Sequence, residues 1–86
     1  MIEDFENDME SWKDRVKCVL VQTPTQGEFA IYFVDGDPRV IYQSSQKDGM
    51  LGTIRVWSSR GDLPLTPHLR NVLWQARDKF TKHEFV

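Results

Sequence analysis

Two β-rich runs, residues 28–34 and 39–43, are separated by only four residues, Asp35-Gly36-Asp37-Pro38. A connection this short cannot carry a parallel crossover, so the two runs must pair antiparallel. Asp-Gly is the chemistry of a tight hairpin, whose central residues take positive φ. Pro38 has no N–H to give to a ladder and suits a strand entry or an edge. Within the first run Phe29, Ile31 and Phe33 alternate with Ala30, Tyr32 and Val34. A period of two puts the first three on one face, toward a covering layer.

The rest of the chain extends this hairpin. Residues 17–22 read as a preceding strand, joined through the turn cluster Thr23-Pro24-Thr25-Gln26-Gly27. Residues 44–52 are polar, contain Asp48-Gly49 and read as a loop. Residues 53–57 read as a fourth strand, with Ile54 and Val56 on the core side across from Phe29, Ile31 and Phe33. Tyr32, Arg55 and Trp57 then fall on the second face.

Helices are expected at both ends. Ile2, Phe5, Met9, Trp12 and Val16 recur at intervals of three and four, which predicts a helix over 2–14 with acids on its opposite face. After a loop over 58–64, Thr66-Pro67 is a helix start, an N-cap followed by Pro where a missing donor costs nothing. Leu69, Val72, Leu73, Ala76 and Phe80 then form an amphipathic stripe, predicting a helix over 67–82. The chain is thus expected to be one α+β domain over 1–86. It would have two layers, a meander of about four strands, an acidic N-terminal helix and an amphipathic C-terminal helix.

Composition narrows the function class. Eighty-six residues with three Trp, five Phe and two Tyr are too apolar for a disordered chain, yet small enough that core is scarce. The longest apolar run, Cys18-Val19-Leu20-Val21, is far short of a membrane span. The acidic start is unlike a signal peptide, and the single Cys18 excludes an internal disulfide. A cytoplasmic, membrane-free protein is the expectation, with Cys18 a buried, inert thiol. Charge is uneven along the chain. Glu3, Asp4, Glu6, Asp8, Glu10 and Asp14 oppose only Lys13 at the front, whereas residues 15–86 hold ten Lys and Arg against seven acids.

No set of residues has the spacing of a catalytic or metal site. His68 and His83 lie fifteen residues apart, near opposite ends of one predicted helix, about 20 Å. They could act together only across a dimer, as in a small hydrolase or nuclease. No phosphate-binding glycine loop or paired cysteines occur. Arg60-Gly61-Asp62 reads as a turn before the helix rather than an adhesion tripeptide. The chain is therefore expected to be no enzyme and to need no cofactor or metal.

Surfaces remain. Arg70, Trp74 and Arg77 follow at intervals of four and three and form a second stripe on the C-terminal helix. Trp74 could flank the core under the arginine stems, or stand outward as an anchor for a partner. The leading expectation is a protein-binding module: an inhibitor, adaptor or small subunit acting on a larger protein, with self-association possible. Arg70, Trp74, Arg77 and the acids Glu3, Glu6 and Glu10 are its candidate contacts. The alternative is nucleic-acid binding through Tyr32, Arg55 and Trp57 on the sheet, or through the C-terminal helix. If the acidic helix covers that sheet face instead, Arg55 would meet an acid of residues 3–14. In size and absent chemistry the chain resembles compact accessory or inhibitor proteins, of which mobile genetic elements encode many.

Overall fold

A computed structural model describes residues 13–47 and 50–86. The expected N-terminal helix falls on residues 1–12 and so lies outside the described residues, apart from Lys13 and Asp14, which belong to a turn. Four strands follow: β1 (Val16–Thr23), β2 (Gly27–Val34), β3 (Asp37–Lys47) and β4 (Met50–Ser58). They form one antiparallel sheet in sequential order, the anticipated meander. Among the described residues one helix, α1 (Pro67–Thr81), covers one side of the sheet and packs chiefly against β1 and β2.

The turns obey their local chemistry. Asp35 and Gly36 both have positive φ, 53° and 85°, as a two-residue hairpin requires. Asp35 also donates its N–H to the Arg15 carbonyl and pairs with the Arg15 guanidinium at 3.1 Å, fastening the start of β1 to this turn. The β1–β2 turn ends in Gly27, at φ 83°. A Cβ there would stand 2.6 Å from the Ser44 carbonyl oxygen of β3, so both backbone angle and space demand glycine. Thr23 braces the same turn: its hydroxyl donates to the Gly27 carbonyl at 2.8 Å and accepts from the Gln26 N–H at 3.0 Å.

The core lies between the sheet and α1. Val19, Val21, Phe29, Ile31, Phe33 and Ile41 of the sheet meet Leu69, Val72, Leu73 and Ala76 of the helix, all buried. Phe33 stacks on Phe80 at 4.5 Å between ring centroids, and Phe80 meets Phe85 edge-on. The helix begins as its sequence indicates. The Thr66 hydroxyl accepts the Leu69 N–H at 3.2 Å, and Pro67 occupies the first position. Beyond its end, Val86 N–H donates to the Cys18 carbonyl at 2.9 Å, laying the tail against the outer edge of β1.

Three expectations need correction. Most of residues 44–52 are paired, not looped: Ser44 stands opposite Thr53, Ser45 opposite Gly52, Gln46 opposite Leu51 and Lys47 opposite Met50. The backbone pairs whether or not the side chains are apolar, and only the Asp-Gly dipeptide is left to connect the strands. Ile54 is 59% exposed, because α1 lies over β1 and β2 and leaves this end of β4 uncovered. Trp57 is on the helix side. The register shifts between Ile41 and Tyr42, so that Ile41 pairs with Trp57 and Tyr42 with Arg55, leaving Val56 as an extra residue. That bulge reverses the alternation and turns Trp57 onto the core.

Candidate interaction surface

The outer face of α1 brings three of the expected residues together. Arg70, Trp74 and Arg77 are all exposed, Trp74 by 74%. They line one groove of about 360 Å³ with Leu65 and Leu73. Helical periodicity explains the arrangement: Leu69, Val72, Leu73 and Ala76 occupy the buried stripe, and positions 70, 74 and 77 fall beside it. Leu73 borders both, buried beneath yet contributing to the groove wall. Leu65, from the segment before the helix, closes the other side and itself packs against the core. Trp74 stands outward and is not packed under the arginine stems. Glu3, Glu6 and Glu10 lie outside the described residues.

Charge pairing is uneven among the described residues. Arg15, Arg55 and Lys82 are paired with Asp35, Asp62 and Asp78 at 3.0 to 3.1 Å. Neither Arg70 nor Arg77 forms an ion pair among the described residues, so the two guanidiniums flank the indole uncompensated.

The alternative set is not assembled. Tyr32 and Arg55 share the second sheet face, but Trp57 is on the opposite one. Tyr32 is half-buried, meets Tyr42 edge-on at 5.9 Å and hydrogen-bonds Cys18. Arg55 is held by Asp62 at 3.0 Å, with 17% of its side chain exposed. The same face buries Val34, Val40 and Tyr42. Its rings are half-buried or buried rather than open for stacking. Of the acids of residues 3–14 expected to meet Arg55, Asp14 is described and forms no ion pair with it, and the others lie outside the described residues.

The remaining polar groups are scattered. His68, in the first turn of α1, packs against Phe29 with its Nε2 buried and without a hydrogen-bond partner. His83 lies past the far end of the helix, edge-on to Phe85. Cys18 is half-buried, and burial pushes its thiol above the ordinary 9.0 despite the hydrogen bond from Tyr32. Among the described residues no three of His, Cys, Asp or Glu stand close enough to hold a metal ion, and no helix is long and apolar enough to cross a membrane. Gly61, at φ 82°, makes Arg60-Gly61-Asp62 a turn.

No family model, curated protein or solved structure matches the chain. The geometry of the α1 groove therefore stands as the guide to function.

Proposed function

We propose that the chain is a non-enzymatic protein-binding module, an inhibitor, adaptor or small subunit that engages a larger protein through Arg70, Trp74 and Arg77. The exposure of Trp74 carries this reading. A tryptophan brings more apolar area than any other side chain, and leaving it in water on a domain with so little core to spare is costly. Set between two arginines above an apolar groove, it has the composition of an interface hot spot, where Trp and Arg dominate and truncation costs about 2 kcal/mol or more. The small size and the lack of clustered acids or metal ligands among the described residues are consistent with a binding role.

The test compares the native chain with Trp74→Ala. An exposed position predicts a melting free energy within about 0.5 kcal/mol of wild type. Capture from the native host, repeated over several salt concentrations, is expected to recover a stoichiometric protein with the wild type and to lose it with the variant. Equal recovery by both would remove the groove from the interface.

A further inference from the structure

We infer that the α1 groove takes an acidic amphipathic helix of the partner, one presenting two carboxylates seven residues apart with an apolar side chain between them. This rests on the protein-binding reading and adds the chemistry of the occupant. Arg70 and Arg77 are seven residues apart on α1, about 10 Å along its axis. A helix laid alongside reproduces that interval with acids at i and i+7 on one face. A carboxylate is the natural complement of a guanidinium, which it can meet through two parallel hydrogen bonds. Both arginines are open to such pairing, because neither has an acidic partner among the described residues. Between them Trp74, Leu65 and Leu73 offer apolar walls. A charge seated there would lose water without gaining a partner, so the middle position must be apolar. The volume of about 360 Å³ suits one or two large side chains.

Two other occupants fit less well. A nucleic acid would meet two uncompensated cations on a chain of net charge −2, whereas phosphate neutralisation dominates such binding. A second copy of this chain offers no two acids seven apart on a helix among its described residues, since Asp78 is the one acid of α1.

The experiment selects a phage-displayed library of helix-forming peptides on the full-length chain. The winners are then titrated against Trp74→Ala and the double variant Arg70→Glu/Arg77→Glu, each first shown by circular dichroism to be folded. Winning peptides are expected to carry acids seven apart with an apolar residue at the third or fourth step between, and to bind either variant about tenfold more weakly or worse, a change of about 1.4 kcal/mol. An empty selection, winners without that pattern, or affinities indifferent to the variants would overturn the inference. So would a labelled single strand, or self-association in sedimentation, whose binding disappears in the double variant. If capture depends on Trp74 while the winners lack acids, only the chemistry of the occupant fails. If capture is indifferent to Trp74, the protein-binding reading fails with it.

Discussion

Cys18 and Tyr32 face each other across β1 and β2, and their shared environment has a consequence for pH. Burial is the main cause of the raised thiol, and it also raises the Tyr32 hydroxyl above its ordinary 10.0, with the neighbouring Cys18 adding to the shift. Both shifts favour the neutral forms in the folded chain. The stability they confer is complete below the unfolded thiol value of 9.0 and is lost as pH rises through the higher folded values. Urea midpoints measured from pH 7 to 11 should therefore fall on the alkaline side, and Cys18→Ser should remove the earlier part of the decline. At pH 8 the native thiol should react with iodoacetamide more slowly than the urea-unfolded chain. Equal rates would mean that Cys18 is as solvated as a free thiol.

Among the elements, α1 owes its placement to its first turn. Thr66→Ala removes the acceptor for the Leu69 N–H and should cost about 1 kcal/mol in chemical denaturation. No change would show that water replaces the hydroxyl without loss. This helix was legible in the sequence because capping, proline position and apolar spacing agree on it. The first two hairpins were legible for a similar reason, since Asp35-Gly36 and Gly27 can each do little else in so short a connection, whereas the polar side chains of 44–47 hid the third. The bulge at Val56 was not. Nothing in Arg55-Val56-Trp57 marks an extra residue, yet a slip of one position decides which face receives an indole. The candidate site divides along the same line. Residues 70, 74 and 77 were readable from the geometry of a single helix. The set of Tyr32, Arg55 and Trp57 required a register that only strand pairing establishes. The exposure of Ile54 depended on where α1 lies across the sheet, a tertiary fact with no local signal.

For the whole molecule, small size makes the core unforgiving. A domain of this length has a total stability of about 4–13 kcal/mol. Ile31 is fully buried at the centre of the sheet, paired with Val19 on one side and Ile41 on the other. Ile31→Ala should cost about 2–5 kcal/mol, enough to leave a visible unfolded population in mild urea. A loss below 1 kcal/mol would mean that the neighbours collapse into the space. Surface ion pairs offer little compensation: Arg15–Asp35 and Lys82–Asp78 are both well exposed, where water and salt screen them. Leu73 belongs both to the core and to the wall of the groove beside it.

The bond from Val86 to the Cys18 carbonyl bears on how copies of this chain could aggregate. An open sheet has two rims, and fibrous stacking needs both, one to receive a neighbour and one to offer to the next. Among the described residues the tail takes up part of the β1 rim, so a neighbour adding there would find fewer open backbone groups than the bare strand would offer.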